Sequence, residues 1–467
     1  MSPIVLVTLL LLSSLLIAIW ITGNPTFITL GITGGLVILI ISFLSPEASI
    51  YLLLFSMLLS PEIVIAETPA REVTIRLEDL ILAIIVFSWF GRVAIFKELG
   101  LFVRTPLNRP IFTIVTIYLL STTMGVMAGY VKPLSGLFFT LKYIEYFFIY
   151  FMVLNLIHSK DQIKRLLVAA FIVSLLVSLY AISQIPSGER VTAPFEGRYG
   201  GEPNTLGGYL VLMIAMAGGI ALKVKSDKVK IALGGLIVIM VVPLLYSLSR
   251  GSWVAFMAVP AVFLFYSKRW MLVPLLVVTA LGLPFITPRA VEERFIYTFK
   301  PDPGFRETQR IGRFAFDPST SERIASFKRA FWRWTKRPIL GYGVTGGGFM
   351  DNQYFRMLLE TGSLGFLAFL WMNIAVFRES WRYYTIGSDD IFKGLSLGLM
   401  AGVVAMLVHS IGASTFIIVR IMEPFWFFVA TVMALGHLEP TLGVIGRERR
   451  AINPPHPPLK KGDERGI

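Results

Sequence analysis

The chain has 467 residues, of which 55% are hydrophobic and 15% are charged. A soluble domain would have about 45–50% apolar and about 25% charged residues, so this composition excludes a large soluble domain. The sequence contains no cysteine, which excludes disulfides and thiolate metal sites, and its four histidines lie far apart, so we expect neither a metal nor a cofactor. The net charge is +14. Because the basic residues lie in short loops between apolar segments, we interpret them as residues that set the orientation in the membrane and not as a nucleic-acid-binding surface.

Apolar segments of roughly 18–22 residues follow one another along the chain, and each is long enough to cross a hydrocarbon core of about 30 Å. They predict an all-α polytopic membrane protein with about fourteen transmembrane helices, or about twelve if one pair is lost. The first segment lacks a basic n-region and a cleavage site, so we predict a retained helix and not a signal peptide. The predicted spans are 3–22, 26–45, 48–66, 78–96, 111–130, 136–157, 166–185, 205–222, 231–249, 252–267, 270–287, 358–377, 394–411 and 417–437.

The basic residues of the short loops predict the orientation of the integral membrane domain, residues 1–440. With the N-terminus in the cytoplasm, every short basic loop falls on the inner side, as the positive-inside rule expects. The tail 441–467 also falls inside, and its proline and charge content predicts disorder. Both termini are therefore predicted to be cytoplasmic.

One long basic loop, residues 288–357, falls on the outer side. Within it, a capping residue among 319–321 and Pro338 as a stop signal bracket a predicted helix. Apolar side chains recur at helical spacing and basic side chains occupy the remaining positions, which predicts an amphipathic helix lying on the outer leaflet. The apolar positions are Ile324, Phe327, Phe331 and Trp334.

Two arginines lie at predicted outer boundaries of the membrane. Arg250 lies in a tight turn between two apolar spans, where a charge must pair, reach lipid headgroups or bind a ligand. Arg198 precedes the predicted N-terminus of a span, a place that suits anions. The alternatives are an Arg250 that snorkels to lipid phosphate, and a simple turn with a helix cap for the stretch that begins at Arg198.

Arg323 lies in the first turn of the predicted amphipathic helix, where the helix dipole disfavours a cation, so a plain membrane anchor does not explain it. The glycine-rich stretch 338–348 follows this helix. Its glycines permit close backbone approach and are compatible with a phosphate cradle, although no Walker pattern is present. A flexible connector is the alternative interpretation of this stretch.

The stretch 351–362 opens the next span with several polar side chains. Asp351, Asn352 and Arg356 lie within about one and a half helical turns of one another. Asp351 is the candidate catalytic base, a carboxylate held beside arginines to accept a proton, and its alternative role is the N-cap of the helix. Asn352 and Arg356 are candidate substrate-binding residues.

These stretches, in this order, resemble the O-antigen ligase and polysaccharide polymerase superfamily of bacterial envelope proteins. The resemblance covers residues 240–410 well and 195–215 loosely, and the first 190 residues match only as a run of spans. The residues that carry it are Ser249-Arg250-Gly251, Arg323, Pro338-x-x-Gly341-x-Gly343, Asn352-Gln353-Tyr354-x-x-x-Leu358 and Glu360-x-Gly362-x-x-Gly365.

The resemblance implies a GT-C-like membrane fold and a metal-independent, inverting glycosyltransferase. It further implies a donor glycan on undecaprenyl pyrophosphate and an acceptor that is a glycan or a lipid-linked glycan. The reaction would take place on the periplasmic face of the bacterial inner membrane. Membrane lipids and other envelope polysaccharide assembly proteins are the further implied partners.

By position, the resemblance implies that Arg250 and Arg323, with Arg198 as a third residue, bind the pyrophosphate. Ligases of the family commonly place a histidine before the asparagine, where this chain has Asp351. This departure favours a polymerase or another type of ligase over a ligase for lipid A–core.

Two functions other than glycan transfer stay open at this point. A transporter of a lipid-linked sugar or small solute needs ionisable residues inside the membrane, and Lys142 and Glu145 are placed to pair within one span. His409 stands alone in another span, and we expect it to be hydrogen-bonded in the core. The remaining alternative is a scaffold for envelope assembly. Because the charges concentrate at the predicted outer surface, glycan transfer is favoured.

Overall fold

The computed structural model describes residues 26–438 except 69–70, 97–102, 196–200, residue 349 and most of 268–316. The described part is dominated by thirteen α-helices, with two short hairpins. The helices are α1 (Thr26–Leu44), α2 (Pro46–Leu59), α3 (Leu77–Phe96), α4 (Asn108–Met127), α5 (Pro133–Leu156), α6 (Lys160–Ser183), α7 (Pro203–Lys223), α8 (Asp227–Tyr246), α9 (Arg250–Ser267), α10 (Pro318–Lys336), α11 (Gln353–Ile386), α12 (Asp390–His409) and α13 (Val419–Leu438). The strands are β1 (Glu62–Thr68), β2 (Arg71–Arg76), β3 (Arg310–Ile311) and β4 (Phe314–Ala315).

The predicted polytopic all-α class is confirmed. Within the described residues, nine helices are long and apolar enough to cross a membrane, and two shorter apolar helices precede them. Each helix except α10 coincides with a predicted span. The predicted spans 3–22 and 270–287 lie outside the described residues.

The predicted span 48–66 is wrong at its C-terminal end. Helix α2 ends at Leu59, Pro61 follows, and the chain then forms the antiparallel hairpin of β1 and β2 with an irregularity between Val64 and Ala66. Proline lacks the N–H that would continue a helix, and the β-branched residues beyond it favour a strand. The apolar pattern continues across this boundary, which is why it was interpreted as one span.

Helices α7, α12 and α13 form the buried centre of the bundle. Where α7 crosses α12, a Cβ on Gly219 would overlap the backbone of Gly394 and Gly398. Small residues let two helix backbones approach closely, so van der Waals contact holds the pair together inside a membrane. The close crossing fixes the N-terminal end of α7 beside the C-terminal end of α12, and the candidate site lies there.

A buried arginine fixes the segment before α7. Arg420 of α13 is fully buried and donates hydrogen bonds to the carbonyl oxygens of Pro194 at 2.7 Å and of Phe195 at 3.3 Å. It also donates to the carbonyl oxygen of Ser60 at 3.3 Å. One guanidinium therefore joins the end of α2, the loop after α6 and the start of α13.

The glycine-rich stretch 338–348 is bound to a bend in α11, so its interpretation as a flexible connector is wrong. Helix α11 bends at Gly362, where φ is 65° and ψ is −165°. The loop donates from the N–H of Tyr342 to the carbonyl oxygen of Leu359 at 2.7 Å and from the N–H of Gly343 to that of Glu360 at 2.9 Å. A Cβ on Gly341 would overlap the same α11 backbone, so the glycines serve close backbone approach.

Candidate active site

Arg250 begins α9 directly after a strained turn. Leu248 has a φ of 51°, a left-handed conformation that is uncommon for a residue with a side chain. Arg190 holds the turn by donating from Nε to the carbonyl oxygen of Ser247 at 3.0 Å and from Nη2 to that of Leu248 at 3.3 Å. The position of Arg250 is thus set by backbone contacts on both sides of the strained residue.

Arg250 pairs with Asp317, the residue that caps the amphipathic helix α10. Arg250 Nη1 lies 2.8 Å from Asp317 Oδ2. Asp317 Oδ1 accepts from the N–H of Thr320 at 3.1 Å, and Oδ2 accepts from Thr320 Oγ1 at 2.8 Å. The predicted cap among residues 319–321 is therefore wrong: the cap is Asp317, and Pro318 occupies the first helical position, which suits proline.

The charge of Asp317 is stabilised by its partners. Burial alone raises the pKa of this carboxyl, but hydrogen bonds from Arg250 and Thr320 outweigh burial and hold the pKa below its ordinary value. Because the folded-state pKa of Asp317 is lowered, its charged form stabilises the fold. This contribution is fully present above the unfolded-state pKa and is lost as pH falls through the folded-state pKa. The Arg250–Asp317 ion pair is therefore present at neutral and mildly acidic pH.

The predicted amphipathic helix is present as α10, but part of its apolar face packs on the protein. Phe327 stacks on Phe355 of α11 with ring centroids 5.0 Å apart, and Trp334 Nε1 donates to Ser363 Oγ at 3.3 Å. Phe331 and Trp332 are exposed. The helix therefore docks on the N-terminal part of α11 and presents two aromatic side chains outward, as an interfacial helix would.

Gly412 lies close to both Arg323 and the start of α9. A Cβ on Gly412 would lie 3.9 Å from Arg323 Nη1 and 3.8 Å from the Cα of Gly251. Gly251 is the residue next to Arg250, and Gly412 lies in the segment after α12. The guanidinium of Arg323 and the backbone next to Arg250, more than seventy positions apart in sequence, thus both lie close to Gly412.

A buried polar network lies next to the two arginines. Ser249 Oγ donates to Asn204 Oδ1 at 2.7 Å, and Ser252 Oγ donates to Ser249 Oγ at 2.8 Å. His409 lies 3.0 Å from Ser252 Oγ through Nε2 and 2.8 Å from Thr415 Oγ1 through Nδ1. The expectation that His409 is hydrogen-bonded in the core is confirmed.

Two residues of this network, Asn204 and Ser252, were given no role by the sequence analysis. Asn204 and Ser252 lie in stretches that attracted attention only for their arginines and glycines. Both residues lie near the N-termini of apolar helices, α7 and α9, which contain few other polar side chains. That position is the feature of the sequence that could have indicated them. A buried polar group must find a partner, so the two helices and α12 meet through these side chains.

Asn352, and not Asp351, caps α11. Asn352 Oδ1 accepts from the N–H of Phe355 at 3.0 Å, and its Nδ2 donates to the carbonyl oxygen of Ile411 at 2.9 Å. Asn352 is buried, and the interpretation of Asp351 as the N-cap is wrong. Because Ile411 precedes Gly412, this amide holds Asp351 beside the segment that contacts Arg323.

Arg356 pairs with a buried carboxylate on its own helix. Its Nε lies 3.7 Å from Oε1 of Glu360, a fully buried carboxylate one helical turn further along α11. Glu360 also accepts from Tyr143 of α5 at 3.1 Å and from the N–H of Thr345 at 3.2 Å. Arg356 is thus part of the connection between α11, α5 and the glycine-rich loop. Arg198 lies outside the described residues.

The match to known families falls on this part of the chain. Residues 235–370 match the sequence profile of the O-antigen ligase family. The chain carries a domain of the O-antigen ligase superfamily. The matched region covers less than a third of the chain, and a search of curated proteins found no match.

The O-antigen ligase domain contains most of the candidate site. It begins within α8, covers α9, α10 and the N-terminal half of α11, and includes Arg250, Asp317, Arg323 and Asp351. Helix α12 and its His409 lie beyond the matched region. The chain is thus a polytopic membrane protein that contains a region similar to the O-antigen ligase family.

Proposed function

We propose that the protein is a membrane glycosyltransferase that moves a glycan from an undecaprenyl-pyrophosphate donor to a glycan acceptor. The observation that carries the proposal is that Gly412 lies close both to Arg323 Nη1 and to Gly251, the residue next to Arg250. Guanidinium groups bind phosphate oxygens through two parallel hydrogen bonds, and two guanidiniums at one place suit a pyrophosphate.

The proposed reaction is a displacement with inversion at the anomeric carbon of the donor. The acceptor hydroxyl oxygen forms the new glycosidic bond, and the bond between the anomeric carbon and the pyrophosphate oxygen breaks. Its electron pair leaves with the undecaprenyl pyrophosphate, whose charge Arg250 and Arg323 stabilise. The carboxylate of Asp351 accepts the hydroxyl proton, and fixed cations serve the leaving group so that no metal is required.

We propose supporting roles for the three remaining predicted site residues, Asn352, Arg356 and Arg198. Asn352 holds Asp351 against the segment after α12, and Arg356 stabilises Glu360 below the site. Arg198 is proposed as a third contact with the donor, as the resemblance in sequence implies. We place the site on the periplasmic face of the bacterial inner membrane, with both termini in the cytoplasm, from the distribution of basic loops.

The first experiment uses purified protein, a defined undecaprenyl-pyrophosphate oligosaccharide, EDTA and no nucleotide sugar. Gels and mass spectrometry follow released undecaprenyl pyrophosphate and lengthened glycan. We expect turnover under these conditions. A ladder of repeats identifies a polymerase, and release that requires a second acceptor identifies a ligase. If folded protein releases nothing with any acceptor, the proposed function is refuted.

One feature of the described residues favours transport as a second function. Glu78 and Glu423 are fully buried and neither carboxylate accepts a hydrogen bond, and Arg76 Nη1 lies 3.7 Å from Glu78 Oε1. The predicted Lys142–Glu145 pair is wrong, because Lys142 pairs with Asp79 at 3.3 Å. Ionisable groups enclosed by apolar helices often mark a path for ions or solutes.

Glu423→Gln separates the two functions. Since Glu423 lies outside the proposed donor site, we expect the variant to keep glycan transfer in detergent within about twofold, the range of a change of less than about 0.5 kcal/mol. The measurement is the rate of release of undecaprenyl pyrophosphate in the assay above. Loss of transfer in a folded Glu423→Gln protein would show that Glu423 takes part in the reaction.

A further inference from the structure

Asp317 touches both elements that supply the proposed pyrophosphate ligands. Its Oδ1 caps α10, the helix that carries Arg323, by accepting from the N–H of Thr320 at 3.1 Å. Its Oδ2 accepts from Arg250 Nη1 at 2.8 Å. One carboxylate therefore fixes the start of α10 against the start of α9, and with it the spacing of the two arginines.

The exposure of the ion pair shows which partner a ligand meets. The side chain of Asp317 is 0% exposed, whereas that of Arg250 is 19% exposed. An anion approaching from outside therefore reaches the guanidinium and not the carboxylate. A buried carboxylate that satisfies an arginine from behind orients that arginine toward the open side, in the way that carboxylates orient metal-binding histidines.

We propose that Asp317 is a positioning residue that holds Arg250 and Arg323 at the spacing of one pyrophosphate group. This inference rests on the proposed function and adds Asp317 to the residues proposed for it. The carboxylate acts through the arginines and touches neither the donor nor the acceptor. Its negative charge also opposes the pyrophosphate at short range, so it sets geometry at some expense of donor affinity.

Asp317→Asn removes the charge and keeps the cap, because asparagine caps helices as well as aspartate does. We expect kcat to fall by about tenfold to a hundredfold, the effect of losing one hydrogen bond to a charged group. We expect the KM for the donor to be unchanged or lower, because repulsion of the pyrophosphate is removed. Asp317→Glu keeps the charge and should recover part of kcat.

Glu322→Gln is the matched control. Glu322 is an exposed carboxylate on the same helix, paired with the exposed Arg329, and such surface pairs contribute little. We expect wild-type kinetics from this variant. Binding of undecaprenyl pyrophosphate alone, followed by tryptophan fluorescence, gives a second measurement that does not depend on turnover.

The outcomes separate the two proposals. Wild-type protein that neither turns over the donor nor binds undecaprenyl pyrophosphate refutes the proposed function and this inference with it. Turnover by wild type with an unchanged kcat in Asp317→Asn, or with a raised donor KM, overturns only the positioning role. Weaker binding of undecaprenyl pyrophosphate by a folded Asp317→Asn protein overturns it as well.

Discussion

Replacing Arg250 by alanine is expected to reduce glycan transfer by at least about a hundredfold, the effect of removing one fixed donor from a site of developing negative charge. The leaving pyrophosphate loses a guanidinium whose position is set by Asp317 and by the held turn before it. The measurement is kcat with a lipid-linked donor. Arg323→Ala should have an effect of similar size, because the two arginines act on one group.

Arg250→Ala also carries a stability cost that must be separated from catalysis. The substitution leaves the buried carboxylate of Asp317 without its ion partner, which costs about 3–5 kcal/mol in comparable cases. The double variant Arg250→Ala/Asp317→Ser keeps a capping side chain and removes the unpaired charge, so it should recover thermal stability but not activity. Arg329→Ala, on the exposed face of α10, is the matched control and should behave as wild type. Wild-type transfer by a folded Arg250→Ala protein would refute the assigned donor site.

Replacing Gly362 by alanine is expected to lower the free energy of unfolding by about 2–5 kcal/mol. Gly362 has a φ of 65°, and a Cβ there would overlap the backbone of Ile339 and Leu340 in the glycine-rich loop. The added methyl would push the loop away from α11 and break the hydrogen bond from the N–H of Ser363 to the carbonyl oxygen of Pro338. Thermal unfolding in detergent measures the effect.

Substitutions at two other glycines separate the backbone strain at Gly362 from the steric overlap with the loop. Gly129 has a φ of 74° and no atom within 4 Å of an added Cβ, so Gly129→Ala reports backbone strain alone, about 1–2 kcal/mol. Gly234 lies inside α8 with open space around it, so Gly234→Ala should be neutral or stabilising by up to about 1 kcal/mol. If Gly362→Ala costs no more than Gly129→Ala, the close packing of the loop on α11 is not required for stability.

The membrane helices were predictable because a span depends on local composition. A run of about twenty apolar residues must be helical in lipid, where every backbone group needs an internal partner. The hairpin of β1 and β2 was not predictable in this way, because Ile63 and Val64 extend the apolar pattern past the end of α2 at Leu59.

The candidate site was predictable as a set of residues but not as an arrangement. Charges at Arg250 and Arg323 have no local explanation in the sequence, and both residues lie in the region that matches the O-antigen ligase family. The identity of the cap was open to prediction, since Pro318 at the first helical position indicates the preceding Asp317. Its second role as the partner of Arg250 depends on the packing of α9 against α10, which no local pattern encodes.

The glycines illustrate the same limit. Their unusual number in 338–348 suggested either flexibility or phosphate binding. The structure uses them for close contact with α11, because only glycine lets the loop backbone pair with Leu359 and Glu360 across a bend. Such a contact depends on how two distant segments pack, so the sequence of the loop alone does not show whether its glycines serve flexibility, phosphate binding or close packing.

The most direct test of the account is a structure of the protein in lipid nanodiscs with undecaprenyl pyrophosphate bound. The account predicts phosphate oxygens within about 2.7–2.9 Å of guanidinium nitrogens of both Arg250 and Arg323, with the Arg250–Asp317 pair retained. A pyrophosphate bound elsewhere, or held by neither arginine, would contradict the central claim that these two residues form the donor site.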